Sequence, residues 1–222
     1  MDAVILAGGR GERLRPVTDY IPKPLVPICN VPILEWQISY LERYDIKRII
    51  LCSGYKSEML RDFVERRKFK VDLVISDEIK PLGTGGALKN AASFISSNDV
   101  VVMNGDVITD IDLGKMYHTS NSLAAIPLRT KFGVLDISGD VISGFREKMH
   151  LDNIWMNAGI YCLGRDMLDD IPGNGDLEKT TFPEYAKNGL LYAVKYADAK
   201  WYSIDSFKDV DECSAIIHDM MK

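Results

Sequence analysis

The sequence predicts an α/β fold built on an open, mixed, mainly parallel sheet with helices on both faces. Three observations predict it. Short apolar runs alternate with longer segments of helical periodicity through the N-terminal half. Those runs are apolar throughout rather than at every second residue, as in strands buried on both faces. Glycine-rich or Asn-Gly-Asp turns follow several of them, and open sheets of this kind bind ligands beyond the carboxyl ends of their strands.

The elements can be read in order. Asp2–Ala7 is a buried strand that ends at glycines. Pro32–Tyr44 has helical spacing, with proline in its first turn. Arg48–Ser53 is a strand, Lys56–Arg67 a helix and Val71–Ser76 a third strand. Thr84–Ile95 is a helix entered through Gly83, Gly85 and Gly86, and Asp99–Asn104 is a fourth strand. The second half changes character. Leu123–Leu128, Gly133–Ile137, Val141–Phe145 and Trp155–Leu163 read as strands with short connections, and Leu177–Lys187 as a helix. Leu190–Tyr196 and Lys200–Ile204 are strands, and Asp209–Met221 is a final helix. With no internal repeat and no proline- or serine-rich linker, residues 1–222 are expected to form one domain.

Composition narrows the function. A chain of 222 residues that is 46% hydrophobic and 27% charged can bury a full core, which excludes long disorder. The net charge of −5, without a basic stripe, argues against nucleic acid as a partner. A small anionic substrate remains compatible, because local donors can bind it. Cys29, Cys52, Cys162 and Cys213 form no CxxC motif, so no zinc or redox site is expected, and a reducing cytoplasmic setting fits. The chain enters its first strand directly from Met1 without a basic leader, and no apolar run reaches membrane-spanning length.

The first loop reads Leu6-Ala7-Gly8-Gly9-Arg10-Gly11-Glu12-Arg13-Leu14-Arg15-Pro16. Its glycines let the backbone approach a ligand with amides exposed, and its arginines supply cations, as polyphosphate binding requires. It is not a P-loop, because no Gly-Lys-Ser/Thr follows at the right spacing. The alternative is a tight turn with solvated arginines. Lys23 lies between Pro22 and Pro24, which predict an extended, stiff segment around one cation; the alternative is a rigid surface connection. Asp106 follows an apolar strand within Asn104-Gly105-Asp106, as a metal-binding carboxylate or as a plain turn residue. Asp110-Ile111-Asp112 has DxD spacing but is read as a cap for a helix starting near Leu113. His118, His150 and His218 are scattered and suggest no catalytic arrangement.

Together, Leu6-Ala7-Gly8-Gly9-x-Gly11-x-Arg13-Leu14-x-Pro16 and Pro22-Lys23-Pro24-Leu25 resemble the N-terminal signature of the nucleoside-diphosphate-sugar pyrophosphorylases. The likeness continues through Pro81-Leu82-Gly83-Thr84-Gly85-Gly86-Ala87, Asn104-Gly105-Asp106, Phe132-Gly133-Val134, Glu147-Lys148 and Asn157-Ala158-Gly159-Ile160-Tyr161. The form Pro-Leu-Gly-Thr-Gly-Gly-Ala, with Leu177-Glu178-Lys179 before Phe182-Pro183, is similar to short mannose- and heptose-1-phosphate guanylyltransferases.

The resemblance implies a Rossmann-like fold and the joining of a nucleoside triphosphate to a sugar 1-phosphate, with Mg²⁺ as cofactor. By it, Arg13, Lys23 and Asp106 would be catalytic. Leu6, Ala7, Gly8, Gly9, Gly11, Glu78, Gly83, Thr84 and Gly85 would line the nucleotide site, and Gly133, Glu147, Lys148 and Asn157 the sugar-phosphate site. Two departures stand out. Met149 replaces the proline usual after the lysine. The family's second metal-binding aspartate, two residues after a tryptophan, is Ser203 here, and Asp205 takes a glycine's place. On a strand Ser203 and Asp205 would share a face, roughly 6–7 Å apart. Asp205 is therefore the expected replacement ligand, beside the alternative that Asp106, phosphates and water suffice. GTP with a mannose- or heptose-type phosphate is the first expectation, and dTTP or UTP with a glucose- or hexosamine-type phosphate the second. A nucleotide-sugar-binding regulatory subunit and a glycosyltransferase are the rival classes. A homo-oligomer is compatible with the sequence, but no room after Lys222 is expected for the β-helical extension of longer relatives.

Overall fold

A computed structural model of the chain describes residues 1–130, 132–147 and 150–220, apart from the side chains of residues 150–153. After β1 (Asp2–Leu6) come a short helix α1 (Val17–Tyr20), a small hairpin of β2 (Pro27–Ile28) and β3 (Val31–Pro32), and helix α2 (Ile33–Leu41). Then β4 (Arg48–Ser53), α3 (Ser57–Arg66), β5 (Asp72–Asp77), α4 (Gly83–Ala91) and β6 (Asp99–Asn104) alternate. The second half holds β7 (Val107–Thr109), β8 (Ser122–Arg129), the hairpin of β9 (Val134–Ser138) and β10 (Val141–Arg146), and the long strand β11 (His150–Gly164). The chain continues through α5 (Arg165–Asp170), α6 (Thr181–Lys187), β12 (Tyr192–Lys195), β13 (Trp201–Ser203), α7 (Phe207–Ser214) and α8 (Ile217–Met220).

Seven strands form the main sheet in the order β12-β8-β11-β6-β1-β4-β5. β11 is antiparallel to both of its neighbours, and every other pairing is parallel. This is the mixed, mainly parallel sheet that the apolar runs predict. Successive residues of a strand face opposite sides, and β1 uses both. Ala3 and Ile5 join Leu34, Ile38 and Leu41 of α2, whereas Val4 joins Leu88 and Ala91 of α4. Ile5 is fully buried, so Ile5→Ala is expected to cost about 2–5 kcal/mol, read as a lower urea midpoint with unchanged slope.

The topology also locates the site. From β1 the chain moves to β4 and β5 on one side, then returns to β6 on the other. The loops after β1 and β6 therefore leave the sheet at its switch point, where such folds open a crevice. Gly105 N donates to Leu6 O at 3.0 Å, so the two loops start side by side.

Several boundaries differ from expectation. Lys23 begins a 3₁₀ turn, Lys23–Leu25, rather than lying in an extended stretch. Proline is tolerated in the first turn because no bond depends on its missing N–H, and the Leu25 and Val26 amides close the turn on the Pro22 and Lys23 carbonyls. The helix expected over 177–187 starts only at Thr181. Ahead of it, Leu177 N donates to Thr84 Oγ1 at 2.9 Å, which ties this segment to α4 as a turn. The helix expected over 84–95 ends at Ala91 and passes into a 3₁₀ turn. The final helix divides into α7 and α8, and Met221 lies outside the described residues. Neither α5 nor the three-residue β7 was anticipated from the pattern.

Candidate active site

At the switch point lies a cleft of ≈ 730 Å³. Leu6, Ala7, Gly8, Gly9, Gly11 and Arg13 reach it from the loop after β1, and Lys23 from its 3₁₀ turn. Glu78 follows β5, Gly83 and Thr84 open α4, Asp106 follows β6, and Asp205 follows β13. Segments spread over most of the chain thus converge at one edge of the sheet. Gly85 is packed behind the cleft, with its amide donating to Gly175 O at 2.9 Å.

Lys23 is the electrostatic centre. Its ammonium donates to Asp106 Oδ2 at 2.8 Å and to Asp205 Oδ1 at 2.9 Å. Arg13 pairs with the same Asp205 oxygen at 2.9 Å, from a largely exposed position. Asp205 is further held by the Ser203 hydroxyl, which donates to Oδ2 at 3.0 Å. Burial pushes the Asp205 carboxyl up, but the bond and charge of Lys23, the Ser203 hydroxyl and Arg13 outweigh it and hold it below the usual carboxylate range.

The local fold explains how Asp205 arrives there. β13 pairs antiparallel with β7, setting Ser203 opposite Val107, and Ile204 N donates to Asp106 O at 2.9 Å. The strand ends at Ser203, and the chain turns into the capping box of α7, where Ser206 and Asp209 bond reciprocally. Asp205 N donates to Asp209 Oδ2 at 3.0 Å, which fixes the turn and leaves the Asp205 side chain in the cleft.

Across the cleft, Glu78 Oε2 accepts the Leu82 amide at 3.1 Å. Its Oε1 lies against the glycine loop, so closely that a Cβ at Gly8 would sit 2.6 Å from it. A side chain at position 8 would therefore displace the end of this carboxylate from the loop. Burial pushes the Glu78 carboxyl up, offset only in part by the Leu82 amide.

The expected sugar-side residues Gly133, Glu147 and Asn157 are not part of this cleft lining. Gly133 and Glu147 adjoin one another at the β9–β10 hairpin, a Cβ at Gly133 falling 3.1 Å from Glu147 Oε2. Asn157 is on β11 and donates to Tyr161 Oη at 3.0 Å. Lys148 lies outside the described residues. Of the DxD aspartates, Asp112 caps the 3₁₀ turn at Leu113 as expected, accepting the Gly114 amide at 2.9 Å, whereas Asp110 accepts the distant Lys200 amide at 2.8 Å. Among the described residues no group of three or more His, Cys, Asp and Glu side chains forms a metal cluster, and no helix is long and apolar enough to cross a membrane.

Residues 2–219 match the model of the family described as nucleotidyl transferase. The chain belongs to that family. It is 35% identical over 191 residues to the D-glycero-alpha-D-manno-heptose 1-phosphate guanylyltransferase of Campylobacter jejuni, covering 83% of this chain and 84% of that one. It is 34% identical over 226 residues to the Danio rerio mannose-1-phosphate guanylyltransferase catalytic subunit beta, covering 94% of this chain and 62% of the relative. The crystal structure of HddC from Yersinia pseudotuberculosis, also solved in complex with GMP-PN, superposes with a TM-score of 0.77 at 30% identity, covering 96% of this chain and 98% of that one.

Sequence reasoning missed two supports of the nucleotidyl transferase site. Gln37 of α2 is fully buried and donates to Asn104 O and Val107 O, both at 2.9 Å, bracing the turn that carries Asp106. A glutamine inside an apolar helix face was the available signal. Asp176 lines the cleft and accepts the Thr84 amide at 3.4 Å, but its segment read as the approach to a helix.

Proposed function

We propose that this chain joins a nucleoside triphosphate to a sugar 1-phosphate, releasing pyrophosphate and a nucleoside diphosphate sugar, with GTP and a mannose- or heptose-type phosphate as substrates. The observation that carries the reaction is the convergence of Asp106 and Asp205 on the single ammonium of Lys23. Two carboxylates that close on one cation also suit a divalent ion, which favours carboxylate and phosphate oxygens. The donor set therefore fits Mg²⁺, which Asp106 and Asp205 would hold. When bound, it supplies charge neutralisation and orientation at the phosphate oxygens.

The chain's own residues supply positioning and charge. In-line attack of the sugar phosphate oxygen on the α-phosphorus needs no covalent intermediate. Lys23 neutralises the reacting phosphates from a largely buried position, and Arg13, exposed at the cleft rim, meets the leaving pyrophosphate. The loop at Gly8, Gly9 and Gly11 brings backbone amides to the triphosphate. Thr84 opens α4 next to base and ribose. Glu147 and Lys148 serve the sugar phosphate, and Gly133 and Asn157 contribute to its pocket.

Glu78 supports guanine. A carboxylate accepts two adjacent N–H donors, which guanine presents at N1 and N2. The corresponding edge of uracil or thymine flanks its one N–H with carbonyl oxygens, which a carboxylate repels. A panel of triphosphates against sugar 1-phosphates with Mg²⁺, read as pyrophosphate, tests the whole reading. GTP with mannose 1-phosphate or a heptose 1-phosphate is expected to give the highest kcat/KM, and no release from any pair would overturn the reaction.

A further inference from the structure

Tyr161 is a fully buried phenol on β11 that takes no part in the chemistry above. Its ring packs edge-on against Phe182 of α6, with centroids 4.9 Å apart. A strand alone would set Asn157 and Tyr161 well apart, at about 3.3 Å per residue. Here the pairing of β11 with β8 shifts register between them, and Gly159 takes φ 69°, a left-handed conformation natural to glycine. The resulting bulge folds Asn157 back, so that its Nδ2 donates to Tyr161 Oη at 3.0 Å, while Gly159 N donates to Asn157 Oδ1 at 2.8 Å.

The hydroxyl then donates to Glu178 Oε1 at 3.3 Å. The other Glu178 oxygen accepts Thr84 Oγ1 at 2.8 Å, and Thr84 Oγ1 accepts Leu177 N at 2.9 Å. Asn104, at the end of β6 and two residues before Asp106, packs against the same bulge, its Nδ2 2.7 Å from where a Cβ at Gly159 would sit. One hydroxyl thus joins Asn157 directly and, through Glu178, the first turn of α4. Burial and then the Glu178 charge push the Tyr161 phenol well above its ordinary range, so it stays protonated and remains a donor.

We propose that Tyr161 is a positioning residue that acts through Glu178, fixing Thr84 on the nucleotide side and Asn157 on the sugar side in one frame. The proposal rests on the nucleotidyltransferase reading. Its consequence is kinetic. Neither Tyr161 nor Glu178 touches the reacting atoms, so loss of the link loosens both substrates and leaves the bond-making groups in place. A purely structural role would instead lower the active fraction, reducing kcat with both KM values unchanged.

The test is Tyr161→Phe, which keeps the ring against Phe182 and removes the hydroxyl. With GTP and mannose 1-phosphate varied in turn, both KM values are expected to rise about three- to tenfold with kcat within about twofold of wild type. Glu178→Ala, at an exposed position, should give the same pattern without threatening the core, and the double variant should be no worse than either single one. Unchanged KM values in Glu178→Ala, or additive losses in the double variant, would overturn the proposal. If wild-type protein releases no pyrophosphate, the reaction reading fails, and the proposal is judged by calorimetry with GTP alone. A Glu178→Ala affinity about three- to tenfold weaker then supports it, and an unchanged affinity overturns it.

Discussion

Asp205→Asn is expected to lower turnover by roughly 10²–10³-fold, the scale seen when one charge-stabilising group is removed from a catalytic site. The amide keeps the shape of the side chain, so it can still accept a hydrogen bond from Ser203, which now meets Asp205 at 3.0 Å. What disappears is the charge that Lys23 and Arg13 both face. If the two carboxylates hold Mg²⁺ as proposed, losing one should also raise the concentration needed for half-maximal rate by about 10–100-fold. Because Lys23 is largely buried, losing the charge that faces it can also lower stability, so the urea midpoint of the variant is read beside its rate. The measurement is initial rate against Mg²⁺ concentration for both proteins. Wild-type rates across the whole range would remove Asp205 from the mechanism. Ser203→Asp in the Asp205→Asn background adds a sharper reading, since partial recovery is expected where a carboxylate two residues earlier can reach the same cation.

Much of the fold was legible because the relevant forces are local. Arg48–Ser53 and Asp99–Asn104 form strands with the predicted bounds, since each is a continuous apolar run buried on both faces. The readings that moved are those where distant groups compete with local preference. Thr84 captures the Leu177 amide and delays α6, a contact across ninety-odd residues that periodicity does not register. β7 is too short for a pattern and exists because β13 pairs with it.

The site divides along the same line. The glycine loop, Lys23, Gly83-Thr84 and Asp106 announce themselves as motifs, and the sheet brings them to one edge. Asp205 stands out of register with the family pattern and was expected only as the replacement for the missing aspartate at Ser203. Its approach to Asp106 depends on the β7–β13 pair and on the capping box that turns the chain at Ser206. Gln37 and Tyr161 are harder still. Each is a polar group in an apolar segment, and only the assembled structure reveals which backbone or side chain it braces.

Glu78→Gln should change the base that the enzyme accepts. The wild-type carboxylate offers acceptors only, matching the paired donors of guanine. The amide offers one acceptor and one donor, so its NH₂ opposes a guanine N–H but suits a carbonyl of uracil or thymine. Hydrogen bonds to a charged group contribute about 1.5–3 kcal/mol, so kcat/KM for GTP should fall roughly 10–100-fold. That for UTP or dTTP should rise, which moves the ratio further. Titration gives an independent check. Burial raises the Glu78 pKa, so as pH falls the carboxylate protonates earlier than an ordinary glutamate, near 4.3. The ionised form is the one that accepts both guanine donors. KM for GTP should therefore climb as pH drops through that raised value, while in Glu78→Gln it stays level over the same window. An unchanged GTP-to-UTP ratio in the variant would take base selection away from Glu78 and give it to the backbone of the loops around it.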